Sequence, residues 1–185
     1  MPSTLPNNDP LPDPLRLHIG GKEVKEGWQI LNIQAGPGVD FVGSCTDLGR
    51  FPDACCDEIY ASHVLEHVPY QTGVTLTLRE WRRVLKPGGV ARISVPDLDT
   101  LCWLFLHPQL APEARFHIMR MMYGGQVDAH DFHLVGLNWA LLTRYLEEAG
   151  FREARRVDRF ALFNDTSSFA PYFGIPISLN VEAIK

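Results

Sequence analysis

A compact group of titratable side chains lies in the segment His63-Val-Leu-Glu66-His67. Its spelling matches the H-x-x-E-H pattern, in which two histidines on one helical face bind zinc and the glutamate activates water. The motif directly follows a segment with the character of a buried strand, which favours His63 as a pocket residue and His67 as a packing residue. No carboxylate further along the chain is marked as a third ligand. We therefore expect no metal, and zinc hydrolysis is the last of three functional hypotheses.

A second cluster, Asp128-Ala-His130-Asp131-Phe-His133, follows a Gly-Gly pair and Gln126. In an extended segment Asp128 and His130 would face one way and the other two the opposite way, so the four side chains could not all bind one ion. Loops between rigid elements often carry binding residues. We interpret the segment as a substrate-facing loop that includes Gln126, His130 and Asp131. A capped, solvated turn and a metal site are the alternatives.

Two further features suit a ligand at the edge of a sheet. Gly20-Gly21 follows the first predicted strand, where bare backbone lets a ligand approach closely, although a tight turn at this point would need glycine in any case. A nucleotide-type ligand also favours an acid at the end of the second strand, where this chain has Gln34. An amide accepts only through its carbonyl and carries no charge, so it holds ribose hydroxyls less strongly.

The elements that must position these residues follow from hydrophobic periodicity. In the segment 73–86, Val74, Leu78, Trp81 and Leu85 recur at intervals of four, three and four, which indicates an amphipathic helix between two strands. A strand, helix, strand unit is typical of a parallel sheet. The sequence predicts strands over 15–19, 28–33, 39–43, 57–62, 90–95, 151–158 and 176–184, and helices over 73–86, 112–123 and 139–149.

Two of the predicted connections have distinctive lengths and patterns. The stretch between Ile19 and Trp28 is too short for a helical crossover, which normally takes a dozen or more residues. The first crossover helix should therefore be short or missing. The last predicted strand alternates apolar and polar residues, as expected of a half-buried antiparallel strand.

Composition sets the class of protein. The chain has 185 residues, of which 45% are hydrophobic and 21% charged, which fits one globular domain. We expect residues 1–14, which contain five of the prolines, to form a flexible arm and residues 15–185 to form the domain. The net charge of −5 gives no field that would attract polyanions, so nucleic acid is not expected as a ligand.

The cysteines and the apolar runs bear on location. Cys45, Cys55, Cys56 and Cys102 form no C-x-x-C pair, which favours free thiols in a reducing compartment over a disulfide or zinc framework. No run approaches the roughly 18–20 apolar residues that span a bilayer. We therefore expect a cytoplasmic protein without a membrane partner.

The order of these segments resembles the class I S-adenosylmethionine-dependent methyltransferases, and in particular small predicted members with a shortened first crossover. The resemblance covers roughly residues 15–185 and is most specific over 57–97. It is carried by the segments Leu17–Gly21, Gly27–Trp28, Leu31–Ile33, Val39–Val42, Asp47–Leu48, Phe51–Asp53, Asp57–His67, Leu78–Gly89, Ile93–Asp97, Gly124–Gln126, Asp131–His133 and Ser178–Asn180.

The resemblance implies an α/β fold with a Rossmann-like sheet of seven strands, mostly parallel with an antiparallel last strand, and S-adenosylmethionine bound over its first half. Residue roles carry over from the family by position. The loop at Gly20 and Gly21 would hold the methionine part of the cofactor and Gln34 the ribose. The adenine would meet Asp47 and Leu48, and the methyl-transfer site would include Ser62 and His63.

The chain departs from the family at two positions, with Lys22 where a small residue is usual and Gln34 in place of the ribose-binding acid. The leading hypothesis is methyl transfer from S-adenosylmethionine to a small or saccharide-like acceptor. His63 or His133 would act as the catalytic base if the acceptor is a hydroxyl. The second hypothesis is a non-catalytic binding protein that keeps the fold with a degenerate cofactor site, which the two departures favour.

Overall fold

Strands and helices alternate along the part of the chain that the computed structural model describes, residues 10–185. The strands are β1 Arg16–Ile19, β2 Gln29–Asn32, β3 Phe41–Val42, β4 Cys56–Ser62, β5 Leu85–Pro96, β6 Glu153–Val157 and β7 Ser178–Ile184. The α-helices are α1 Gly73–Val84, α2 Leu98–Leu106, α3 Pro112–Tyr123 and α4 Trp139–Ala149. Two short 3-10 turns occupy Leu65–His67 and Thr166–Ser168. None of these helices is both long and apolar enough to cross a bilayer.

The strands form one seven-stranded sheet in the order β3-β2-β1-β4-β5-β7-β6. Neighbours from β3 to β5 pair in parallel, whereas β7 is antiparallel to both β5 and β6. This architecture confirms the predicted mostly parallel sheet with an antiparallel last strand. Because β1 is central and the chain leaves it towards β2 and later returns to β4, the switch in direction lies beside the carboxyl end of β1, where sheets of this kind bind ligands.

The first half of the sheet is built without crossover helices. Within residues 10–185, the connections from β1 to β2, from β2 to β3 and from β3 to β4 contain only turns and bends. The segment 20–28 is too short for a helical crossover and turns at Gly20 and Gly27, both with positive φ. The predicted loss of the first crossover helix is therefore confirmed.

The main core lies between one face of the sheet and the helices α1 and α4. Val74, Leu78 and Trp81 of α1 are fully buried against it, as their spacing predicts. Helix α4 begins where the side chain of Asn138 accepts a hydrogen bond from the Leu141 amide, and it ends at Gly150 in the left-handed conformation.

The opposite face of the sheet has a different cover. Trp28, Tyr60 and Phe163 form a small aromatic cluster there, which takes the place of a helix. Beyond the cluster, charges of alternating sign form ion pairs across five strands. These are Arg16, Glu58, Arg92, Glu182 and Arg155.

Two features lie outside the predicted pattern. Helix α2 was not predicted, because its sequence is apolar nearly all round and leaves Trp103 and Leu106 exposed. Of the predicted arm 1–14, residues 1–9 lie outside the described residues. In the rest, Leu11 packs against the core and Asp13 pairs with Lys86 at 2.9 Å.

Candidate active site

A cleft of about 730 Å³ opens at the carboxyl ends of β1, β2 and β4. Five segments line it, around Gly20, Asn32, Ser44, His63 and His130. Its size is that of a site for a small molecule or cofactor. Three segments come from the half of the sheet without helices, and two come from the turn after β4 and the loop 126–133.

The glycine turn contributes bare backbone to this cleft. Gly20 lines the cleft with φ of +75°, and a Cβ added there would lie 2.5 Å from Cγ2 of Val64. Gly21 is buried instead, and a Cβ there would meet the His18 ring at 2.5 Å. Packing alone therefore requires Gly21, whereas Gly20 also gives a ligand access to the main chain.

Two amides stand at the end of β2. The strand ends at Asn32, which is 8% exposed, and its side chain donates to the Gly21 carbonyl at 2.9 Å and accepts from the Gln34 amide at 2.9 Å. Gln34 is exposed and lines the cleft two residues beyond the strand. Asn32 thus braces the glycine turn, and Gln34 is the amide whose side chain is free to meet a ligand. The pattern gave no reason to single out Asn32.

The residues after β3 that line the cleft are not the expected pair, Asp47 and Leu48. Ser44, Cys45 and Thr46 line it. Asp47 is exposed and accepts from the Gly49 amide at 2.9 Å, while Leu48 is fully buried in the core. The Asp47-Leu48 pair therefore forms the turn behind the cleft lining.

Cys45 is held in place but is not an activated thiol. Its carbonyl accepts from the indole of Trp81 at 2.8 Å, which fixes this segment to α1. Burial raises the pKa of its thiol to about 11, so the group stays protonated near neutrality and is a poor nucleophile.

After β4 the chain turns sharply at His63, whose φ is +55°. Ser62, the last residue of β4, lies outside the cleft lining, and its buried hydroxyl has no partner among the described residues. His63 lines the cleft, but both of its ring nitrogens face protein groups. Nε2 lies 2.9 Å from the Ser178 hydroxyl, which itself donates to a backbone carbonyl, and Nδ1 lies 3.4 Å from Oε1 of Glu66.

Glu66 is a buried carboxylate surrounded by imidazoles. It is 2% exposed, and Nε2 of His133 lies 3.9 Å from its Oε1. Burial acts to raise its pKa, but His63, His133 and His67 outweigh burial and hold the pKa below its usual value. Burial lowers the pKa of His133, against the opposing effect of Glu66. The site therefore holds an ionised carboxylate beneath the cleft.

The loop 126–133 lies along the cleft, and residues 127–132 line it. His130 and Asp131 face the cleft, and the His130 ring makes no hydrogen bond with any other residue in the described part of the chain. Asp131 also shapes the loop, since its carbonyl accepts from the Gln126 amide at 2.9 Å. Gln126 has φ of +56° and lies at the loop entrance, outside the cleft lining.

His133 is the predicted catalytic residue that the structure turns away from the cleft. Its side chain is 11% exposed and points towards Glu66, and its ring packs edge-on against His67. The backbone beside it is fixed as well, because the Leu134 amide donates to the Glu66 carbonyl at 2.7 Å. The cleft thus contains Gly20, Gln34, His63, His130 and Asp131, but not Gly21, Asp47, Leu48, Ser62, Gln126 or His133.

Comparison with known proteins gives matches at the level of a domain family and a fold. A methyltransferase-domain family model matches residues 22–93. No curated protein matches the sequence.

Solved structures match over nearly the whole chain. A SAM-dependent methyltransferase from Archaeoglobus fulgidus has a TM-score of 0.57 and 16% identity, with 93% of this chain and 86% of that chain covered. The 1,6-didemethyltoxoflavin-N1-methyltransferase of Burkholderia thailandensis, solved with its substrate and S-adenosylhomocysteine, also has a TM-score of 0.57 and 16% identity, with coverages of 92% and 70%. A protein from Bordetella parapertussis described as a possible exported protein has a TM-score of 0.55 and 16% identity, and this chain covers only 61% of its length although 92% of this chain is matched.

These matches agree with the seven-stranded, mostly parallel sheet and its antiparallel last strand. They also support S-adenosylmethionine, the cofactor that the sequence resemblance implies. The chain therefore has the fold of the class I S-adenosylmethionine-dependent methyltransferases, and the resemblance in its sequence is confirmed.

Proposed function

We propose that the protein transfers a methyl group from S-adenosylmethionine to a small or saccharide-like acceptor. The observation that carries this proposal is the cleft at the carboxyl ends of β1, β2 and β4, where a bare glycine backbone meets a loop of polar side chains. In sheets of this type, ligands bind at that edge, beside the switch in strand direction. The acceptor class rests on the hydrogen-bonding side chains of the loop.

The half of the cleft around β1 and β2 fits the cofactor. Gly20 offers main chain without a Cβ, and Gln34 and Thr46 offer uncharged hydrogen-bonding groups. Lys22 also lines this half, where its ammonium group could pair with the carboxylate of the methionine part. S-adenosylmethionine has no phosphate, so the missing helix at the first crossover removes no group that it needs.

The other half of the cleft fits the acceptor. S-adenosylmethionine would supply an electrophilic methyl group on sulfur; as the acceptor oxygen or nitrogen bonds to the methyl carbon, the carbon–sulfur bond would break and the sulfur would keep the electron pair. The loop would orient the acceptor through His130 and Asp131 so that its oxygen or nitrogen stands in line with this bond. We assign proton removal from a hydroxyl acceptor to His130, because the ring nitrogens of His63 already face Ser178 and Glu66.

A second candidate is a binding protein that keeps the fold without catalysis. The end of β2 carries the amides Asn32 and Gln34 and no carboxylate, so a charge-assisted hydrogen bond to ribose is lost. Such a bond is worth about 1.5–3 kcal/mol, or roughly ten- to a hundred-fold in affinity. This candidate predicts a folded protein that does not bind S-adenosylmethionine.

The four cysteines favour a reducing compartment, and we propose a cytoplasmic location. Cys45, Cys55, Cys56 and Cys102 are all free thiols. Burial raises the pKa of Cys55, and burial raises the pKa of Cys56 to about 12, so neither thiol is primed to react. We expect the partner to be a small molecule and not nucleic acid, in line with the net charge of −5.

The test is formation of S-adenosylhomocysteine from S-adenosylmethionine in the presence of a panel of small hydroxyl and amine acceptors, including sugars. The proposal predicts turnover with at least one acceptor and a loss of turnover in His130→Ala with cofactor affinity unchanged. A folded protein that binds neither S-adenosylmethionine nor its demethylated product would contradict the proposal and support the second candidate.

A further inference from the structure

The buried carboxylate of Glu66 lies where two separate sequence motifs meet. Glu66 and His67 belong to the turn after β4, and His133 ends the loop 126–133. One possible ligand atom from each of the three residues lies within 4.8 Å of the other two. The three residues come from two motifs that lie far apart in the sequence, so neither motif alone indicates this group.

We propose that Glu66, His67 and His133 bind a divalent transition-metal ion of the zinc class. Two imidazoles and one carboxylate suit such ions, whereas Mg²⁺ prefers oxygen ligands. Three protein ligands leave a fourth position open, as in zinc sites that also bind water or substrate.

The carboxylate is the first observation in favour of this site. Both oxygens of Glu66 are buried without a hydrogen-bond partner among residues 10–185. The nearest ring nitrogen, Nδ1 of His63, is 3.4 Å away and poorly aligned for a hydrogen bond. Burying a carboxylate whose oxygens have no hydrogen-bond donor is costly, and a cation at this point would remove that cost.

The orientation of the imidazoles is the second observation. Nδ1 of His67 lies 3.0 Å from the Phe132 carbonyl, so it carries the proton and leaves the lone pair of Nε2 free. Metal-binding histidines commonly donate their other ring N–H to a backbone carbonyl in this way. Nε2 of His133 already lies 3.9 Å from Oε1 of Glu66.

The distances fit an ion after a small adjustment. Zinc bonds to nitrogen and oxygen are about 2.0–2.2 Å long, so tetrahedral ligand atoms lie about 3.4 Å apart. Side-chain rotations that move the ligand atoms by roughly 1 Å would bring all three to that separation. The backbones are already fixed to each other, since the Leu134 and Val135 amides both donate to the Glu66 carbonyl.

The position gives the ion a role at the cleft. His67 lines the cleft, so an ion bound to it would lie next to the acceptor half. The ion would also link the loop 126–133 to the turn after β4. This site does not depend on methyl transfer and can be tested in the absence of S-adenosylmethionine.

The first measurement is calorimetric titration of the chelator-treated, full-length protein with Zn²⁺, together with the visible spectrum after addition of Co²⁺. We expect one ion per chain, the absorption of a nitrogen- and oxygen-ligated cobalt ion, and no binding of Mg²⁺. A folded protein that binds no zinc stoichiometrically would overturn the proposal.

The variants identify the ligands. His133→Ala and Glu66→Gln should each weaken zinc binding by at least about tenfold. His130→Ala is the matched control, because it removes an exposed imidazole from the same loop and should leave zinc affinity unchanged. If His130→Ala weakens binding as much as His133→Ala does, the ion binds adventitiously at the surface and the proposal fails.

A measurement on the unaltered protein covers the case in which a variant does not fold. Nitrogen NMR of the imidazole rings should show that zinc shifts Nε2 of His67 and Nε2 of His133 but not the ring of His130. Shifts confined to exposed histidines would contradict the site. Because cofactor binding is measured separately, failure here leaves the proposed methyl transfer standing.

Discussion

The two halves of the cleft differ in the means by which they can hold a ligand. The half at β1 and β2 presents bare backbone at Gly20, the amides of Asn32 and Gln34, and one charge at Lys22. The half beneath the loop 126–133 concentrates imidazoles and carboxylates around Glu66 and His130. The first half thus relies on shape and main-chain hydrogen bonds, whereas the second has the groups that can move protons or bind ions.

The largest effect should come from Gly124, which ends α3 just before the loop 126–133. Gly124 has φ of 84° and ψ of 163°, a conformation almost confined to glycine, and a Cβ there would collide with the Asp131 carbonyl. Gly124→Ala should lower the free energy of unfolding by about 3 kcal/mol or more and displace the loop. Urea denaturation measures this loss.

Gly88→Ala is the matched control for that change. Gly88 also has positive φ, at +79°, but within residues 10–185 no atom apart from its chain neighbours lies within 4 Å of an added Cβ. The control should lose only about 1–2 kcal/mol, the cost of the left-handed conformation. Equal losses in the two variants would show that Gly124 is not packed against Asp131.

The stability of the half at β1 and β2 should depend on pH through His18, whose ring packs against Gly21. His18 is 5% exposed and packs on Phe163, and burial lowers its pKa to about 4. Well above pH 6.5 the ring is neutral in both the folded and the unfolded chain. Between pH 6.5 and 4 the unfolded chain binds a proton that the folded chain does not, so stability falls as the pH falls, by up to about 3 kcal/mol.

The measurement is the free energy of unfolding from pH 7.5 to 4 for the wild type and for His18→Asn. The variant should be less stable at neutral pH because it loses ring packing, but its profile should fall less steeply below pH 6.5. Parallel profiles would mean that His18 does not control the acid response of this half.

Within the loop 126–133, the two histidines should differ in their effect on stability. His133 is mostly buried beside Glu66. His133→Ala should lower the free energy of unfolding by about 1–2 kcal/mol, because the packing of the ring is lost and the Glu66 carboxylate loses a neighbouring imidazole. His130 is exposed, and His130→Ala should stay within about 0.5 kcal/mol of the wild type. If both variants unfold at the same denaturant concentration as the wild type, His133 does not tie the loop to the body.

The smallest expected effect is tighter ligand binding in the half of the cleft at β1 and β2. Gln34→Glu should tighten binding of S-adenosylhomocysteine about tenfold, because an exposed carboxylate can accept from both ribose hydroxyls. Gln109→Glu adds the same charge at an exposed position outside the cleft and should leave affinity unchanged. Calorimetry compares the two, and an unchanged Kd in Gln34→Glu would mean that Gln34 does not face the ribose.

Much of the fold could be predicted because its signals are local. The stripe of Val74, Leu78 and Trp81 marks α1, and the short stretch after Ile19 already excludes a crossover helix. The end of α1 was placed two residues late, because Leu85 becomes extended and Lys86 pairs with Asp57 at 2.8 Å. Those features depend on contacts distant in sequence.

The site could be predicted only in part, because some of its features also depend on contacts between residues distant in sequence. Gly20, Gln34 and His130 lie in the cleft as their motifs indicate, since each follows from the end of a strand or from a polar loop. The meeting of Glu66 with His133 depends on how the loop docks on the turn after β4, and no spacing in the sequence encodes that. Local sequence patterns therefore pointed to residues that line the cleft, but not to the contact between His133 and the buried carboxylate of Glu66.

Above all, the proposed function requires that S-adenosylmethionine bind in the half of the cleft formed by β1 and β2. Amide NMR of the full chain during titration with S-adenosylhomocysteine tests it most directly, because it reports where the ligand lies. We predict saturable shifts at Gly20, Gln34 and Thr46 and none at Arg92 or Arg155, which line a separate hollow of about 420 Å³ on the opposite face of the sheet. No saturable shift anywhere, or shifts confined to that hollow, would contradict the claim.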